Sequence, residues 1–134
     1  MQLQTFSHSD RIQLTRAIIE MLDEWGVRDS DQVKLLGLPA GTRSRVIRSF
    51  RKDTPLPENT AVSEHVEHLL GIADALQTSN PCNSAAGAMW MNRPNYRFDD
   101  RTPLNTMLED GLTGMMAVRV HLDCAYDWHT DATA

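Results

Sequence analysis

Little in this chain supplies a covalent or metallic staple. Its 134 residues hold two cysteines, Cys82 and Cys124, too few for a disulfide framework, so a reduced, cytoplasmic chain is expected. No apolar run approaches the roughly 18 residues that cross a bilayer. The opening MQLQTFSHSDR lacks an apolar signal core. The catalytic signatures are missing too: no glycine-rich phosphate loop after a strand, no G-x-S-x-G turn, no H-E-x-x-H pair. His65 and His68 stand one helical turn apart without a third ligand. His121, Cys124 and His129 match no zinc spacing. Glu109 and Asp110, as helical neighbours, point apart and make a poor acid–base couple. A binding protein without metal or cofactor is expected, not an enzyme. Alternating apolar segments bounded by turn residues are absent as well, which removes strands.

What is present is helical. Leu14, Ile18, Met21, Leu22 and Trp25 form one apolar stripe, with Ser7 or Ser9 to cap its start and Gly26 to end it. Ser30 is placed to cap a short helix ending at Gly37. A second is expected from Ala40 or Thr42 to Lys52, with Val46, Ile47 and Phe50 inward. After the proline linker 53–59, a long stripe from Val62 to Leu76 marks a helix over about 60–78. A turn at 79–83, a helix from Ser84 to Asn92, a helix opening at Thr102-Pro103 and a last one from Thr113 to about Ala125 complete an all-α chain of about seven helices. The tail YDWHTDATA carries too few apolar residues to pack alone, and reads as a loose end or a docking segment.

Charge divides the chain. Residues 28–52 hold seven basic residues against two acidic ones, a balance of +5 in a chain of net charge −5, so the rest carries −10. Two short helices joined by a glycine turn, the second basic, form the helix-turn-helix pattern. Arg43, Ser44, Arg45, Arg48 and Arg51 are then the candidate contacts to guanine edges and phosphates. The competing reading of the same charges is a solvated helix face.

The stretch Trp90–Asp110, WMNRPNYRFDDRTPLNTMLED, is unlike a solvated linker. Trp90, Tyr96 and Phe98 fall within nine residues of a polar connector, and the Thr-Pro start caps the helix that follows. Together with the runs RAIIEMLDEWGVRDSDQVKLLGLP and AMWMNRPNYRFDDRTPLNTMLEDGLTGMMAVRVHLD, it resembles the MbcA/ParS/Xre antitoxin family over roughly residues 14–125. The resemblance implies an Xre-like helix-turn-helix region over 1–58, a connecting or dimerising helix over 59–78 and a toxin-binding domain over 79–134. Two departures stand out. Asp99-Asp100-Arg101 replaces the glycine such proteins often carry before Thr-Pro-Leu, and Pro39-Ala40-Gly41 opens the recognition helix where polar residues are more usual.

By that resemblance the chain is the antitoxin of a type II pair. Its partner is a RES-domain toxin that consumes NAD or transfers its ADP-ribose, and the C-terminal domain covers the NAD pocket. Trp90, Asn95, Tyr96, Phe98, Arg101 and Trp128 are the implied contacts, with the final helix and tail. Operator DNA and a second copy of the chain are further implied partners, the dimer seam falling to the first helix or the 60–78 helix. The rival reading is a stand-alone helix-turn-helix repressor whose C-terminal half only dimerises.

Overall fold

The computed structural model describes residues 7–79 and 85–133, with side chains through Cys124. Among the described residues there are seven α-helices and no strand, the all-α architecture expected. They are α1 (His8–Glu24), α2 (Asp29–Leu35), α3 (Val46–Lys52), α4 (Thr60–Ser79), α5 (Ala85–Met91), α6 (Pro103–Asp110) and α7 (Leu112–Thr133). The chain divides into two compact units, Met1–Glu67 and His68–Ala134, with the division falling inside α4.

In the first unit α1 begins with a reciprocal capping box. The Ser7 hydroxyl accepts from the Asp10 amide at 3.1 Å and the Asp10 carboxylate accepts from the Ser7 amide at 3.4 Å, satisfying two orphan donors. The α1 stripe turns inward through Ile18, Ile19, Leu22 and Trp25, and α3 packs on it with Ile47 and Phe50 buried. Thr15 ties in the proline linker: its hydroxyl accepts from the Leu56 amide at 3.0 Å and donates to the Arg11 carbonyl at 2.8 Å.

Two readings of this unit need correction. Ser30 does not cap α2. Arg28 holds the N-cap position without a side-chain bond, Ser30 sits inside the first turn, and Asp29 and Asp31 face the helix dipole there. The next helix begins at Val46, not at Ala40 or Thr42. Residues 36–45 instead form a connector of turns in which Gly37 and Gly41 both take positive φ. Gly37 allows close approach as well as the turn, because a Cβ there would meet the His65 ring and the Ala61 carbonyl.

The second unit is built on α6 and α7, which meet in a tight hairpin through Gly111. Thr102 caps α6 as expected, its hydroxyl accepting from the Asn105 amide at 3.0 Å, with Pro103 in the first turn. Gly114 lies so close to α6 that a Cβ would strike the Thr106 carbonyl. Met107, Met115 and Val118 fill the seam. The later turns of α4 belong to the same body: the Arg119 guanidinium lies over Gly71 and donates to His68 Nδ1 at 3.3 Å. The α7 backbone continues to Thr133, beyond the end expected near Ala125. The turn expected at 79–83 falls, apart from Ser79, outside the described residues, as does Ser84.

Candidate functional site

The connector between α5 and α6 is a closed loop, not an extended linker. Asn95 and Arg101 pair across its base in an antiparallel bridge, the Asn95 amide donating to the Arg101 carbonyl at 3.0 Å. Asn95 works twice more inside the loop. Its side-chain oxygen accepts from the Arg97 amide at 3.0 Å, and its carbonyl accepts from Phe98 at 2.9 Å and Asp100 at 3.1 Å. A single 3₁₀ turn, Tyr96–Phe98, forms the tip. Asp99 and Asp100 reverse the chain with φ of 58° and 63°. Both occupy the left-handed region that glycine fills most cheaply, and aspartate is among the residues that tolerate it.

Arg101 then locks the loop onto the far end of α6. Its guanidinium meets Glu109 at 3.0 Å and Asp110 through a forked pair at 3.0 and 3.2 Å, while its Nε donates to the Phe98 carbonyl at 3.1 Å. Bidentate arginine–carboxylate geometry is the directional form of the ion pair. The Asp110 carboxyl is held below its ordinary range by this guanidinium, and the Arg101 pKa is raised by the two carboxylates. The adjacent acids at 109 and 110 thus serve one arginine.

Behind the loop, His121 of α7 gathers two aromatic rings. It stacks on Trp90 at 6.0 Å with the planes 10° apart, and meets Phe98 edge-on at 5.5 Å. Burial, with the nearby Arg97 charge, lowers the His121 pKa. His121 is thus a packing residue here. Among the described residues no group of three or more His, Cys, Asp or Glu is arranged to hold a metal.

The residues expected to contact a partner therefore divide. Tyr96 is 76 % exposed at the loop tip, with Arg97 folded over its ring at 5.5 Å. Phe98, 7 % exposed, faces inward and holds the loop from behind. Trp90 is half-buried in the His121 stack, and Asn95 and Arg101 build the loop's frame. The Trp128 side chain lies outside the described residues. Met89, Met116 and Val120 are exposed large apolar residues as well; the last two lie on the final helix, which the resemblance implied as a contact without naming them, and Met89 was not among the expected contacts.

Residues 76–124 match the model of the antitoxin Xre/MbcA/ParS C-terminal toxin-binding domain. The chain is also similar to the uncharacterized protein y4oB of Sinorhizobium fredii (strain NBRC 101917 / NGR234), with 34 % identity over 107 residues, 80 % of this chain and 79 % of that protein. The chain belongs to this antitoxin family. No solved structure matches it. The matched segment runs from the last turn of α4 to Cys124, so it includes the closed loop, the His121 stack and the described side chains of α7. No helix among the described residues of this family member is long and apolar enough to cross a membrane.

In the first unit the basic residues also divide. Arg51 is committed inward. Its guanidinium bonds Asp23 at 2.7 Å and Asp29 at 2.6 Å, which raises its own pKa and lowers that of Asp23. Arg43, Ser44 and Arg45 lie in the connector before α3 and Arg48 on α3, all exposed. Lys52 is exposed one turn beyond Arg48, and its carbonyl accepts from the Arg16 side chain.

Proposed function

We propose that this chain is the antitoxin of a type II pair and neutralises a RES-domain toxin, one that consumes NAD or transfers its ADP-ribose, by covering the toxin's NAD pocket. The observation that carries this reading is the match of residues 76–124 to a toxin-binding domain, on a unit whose loop is braced from within. Its charge supports it. Residues 68–134 hold eight acidic residues against four arginines, which complements a pocket that favours positive charge for a pyrophosphate. Tyr96 at the exposed tip is the best-placed of the expected contacts. Asn95, Arg101, Trp90 and Phe98 hold the shape that presents it, and Trp128 remains a proposed contact on the family resemblance alone.

Co-expression tests the reading. The RES-domain product of a neighbouring gene is expected to arrest growth alone and to be silenced, in a stable complex, by this chain. A toxic product that this chain neither binds nor rescues ends the proposal.

A second activity rests on the exposed arginines of the first unit. Arg43, Arg45 and Arg48, with Lys52, form a cationic run without an ion pair among the described residues, the arrangement that meets phosphates. They and Ser44 are proposed to bind operator DNA and repress the chain's own operon as a homodimer. Arg51, tied to Asp23 and Asp29, serves there as a brace.

A further inference from the structure

α7 carries two apolar stripes, and only one is covered by its own unit. Met115, Val118 and Leu122 face inward, each 7 % exposed or less. On another side of the same helix lie Thr113, Met116, Ala117, Val120 and Cys124, all exposed. They fall at i, i+3, i+4, i+7 and i+11, which places them along one face. Met116 is 49 % and Val120 59 % exposed. From Thr113 to Val120 the stripe's own positions carry no charge, and Asp123 follows at its far end. Helices that meet only water put charge in such positions.

The placement of apolar exposure in the whole chain is as uneven. Met89, Tyr96, Met116 and Val120 are the exposed large hydrophobic residues among those described. All four lie within the segment matched to the toxin-binding domain. The first unit buries its apolar stripe on α1, through Ile18, Ile19 and Leu22, and α4 buries Val62, Val66, Leu69, Ile72 and Leu76. The named apolar residues of the two helices expected to supply a dimer seam are therefore buried, while Leu14 and Met21 of α1 and Leu70 of α4 are half-buried. Asp123 stands exposed at the far end of the α7 stripe and makes that end acidic.

We infer that the outer stripe of α7, anchored by Met116 and Val120, is the docking helix for the toxin, laid into an apolar groove with a basic rim. The inference rests on the proposed antitoxin function and names the surface that performs it. An amphipathic helix recognised in a groove is read through anchors at i, i+3, i+4 and i+7, the spacing of Thr113, Met116, Ala117 and Val120. The stripe supplies apolar anchors, the acidic excess of the unit with Asp123 at the stripe's end sets the orientation on a cationic rim, and the braced Tyr96 loop adds a second point of contact.

The test uses the full chain co-expressed with the tagged RES-domain product of the neighbouring gene, with affinity read by titration. Wild type is expected to bind. The double variant Met116→Glu, Val120→Glu is expected to lose at least a hundredfold in affinity, since two buried, unpaired carboxylates each cost more than about a factor of ten. Met116→Leu with Val120→Ile is expected to bind within a few-fold of wild type. Asn105→Glu, on the exposed face of α6, reports the effect of an added charge elsewhere in the unit, and circular dichroism of each variant reports the fold. Undiminished toxin binding by a folded glutamate variant overturns the inference. So does a glutamate variant that alters only the chain's own oligomeric state, because the stripe then belongs to a second copy. A wild-type chain that does not bind the toxin at all removes the antitoxin function itself, and the docking helix with it.

Discussion

Arg101 and Asp110 are joined by a forked ion pair, Nη2 to Oδ2 at 3.0 Å and Nη1 to Oδ1 at 3.2 Å. The pair fastens the end of the α5–α6 connection to the end of α6, and so adds a side-chain brace to a loop closed by its own backbone bonds. Arg101→Ala is expected to leave the helical content unchanged and to speed amide exchange severalfold at Asn95, Asp100 and Arg101, the amides whose bonds span the loop. Asp110→Asn should give a weaker version, because Glu109 still meets the guanidinium. The brace also has a pH limit. Asp110 is held below its ordinary carboxylate range, so the brace is fully present above that range and is lost as pH falls through the lowered value. Exchange at these three amides that is unchanged in Arg101→Ala would show that the loop does not depend on the brace.

His121 supplies a second pH dependence at milder acidity. Its pKa is lowered by burial and by Arg97, so the unfolded chain binds the proton more readily than the folded one. The stability it contributes is present above the ordinary histidine value of about 6.5 and is lost as pH falls through the lowered folded value. Melting temperature followed from pH 8 to pH 5 is expected to fall more steeply in wild type than in His121→Asn. Parallel curves for the two proteins would remove His121 as the titrating group.

Gly114 and Gly87 make a matched pair. A methyl at Gly114 drives into the Thr106 carbonyl, a backbone atom that cannot swing away. Gly114→Ala is therefore expected to cost about 1–3 kcal/mol by overpacking the α6–α7 seam. At Gly87 in α5 the same methyl meets only the Leu76 side chain, at 3.5 Å. There, alanine's helix propensity is worth up to about 1 kcal/mol, and the variant should melt at or above the wild-type temperature. Chemical denaturation of both variants checks the contrast.

The exposed arginines give a prediction about DNA. Replacing Arg43, Arg45 and Arg48 together with alanine is expected to weaken binding to the chain's own promoter and to reduce the salt dependence by about three phosphate contacts. Arg51→Ala should chiefly lower the melting temperature, because it unpairs Asp23 and Asp29. A gel shift across a salt series distinguishes the two outcomes, and unchanged binding by the triple variant would free these arginines of any DNA role.

Helix type and position were readable wherever a stripe was long or a cap chemically explicit. The α1 stripe, the Thr102-Pro103 start and the long run of α4 all depend on contacts within one or two turns, which spacing records. α3 was expected to start at Ala40 or Thr42 and begins at Val46. The glycine turn was legible, but not that Gly41 takes positive φ as well as Gly37 and that turns run through residues 36–45. The site was hidden for a different reason. Arg101 finds its partners eight and nine residues later, and His121 meets Trp90 from a separate helix. Such pairings belong to the packed chain and leave no periodic trace. Left-handed backbone at Asp99 and Asp100 was unreadable because aspartate stands where glycine would have announced it.

The shared helix α4 has a practical consequence for anyone who would transplant the toxin-binding segment. Residues 76–124 delimit a family domain in sequence, yet Leu69 and Ile72, buried in the same unit, lie upstream of them, as do His68 and Gly71 beneath Arg119. A fragment cut at Leu76 would leave α7 without its support on that side. The domain is thus not a portable module: a fusion or a minimal inhibitor built from it must carry α4 along.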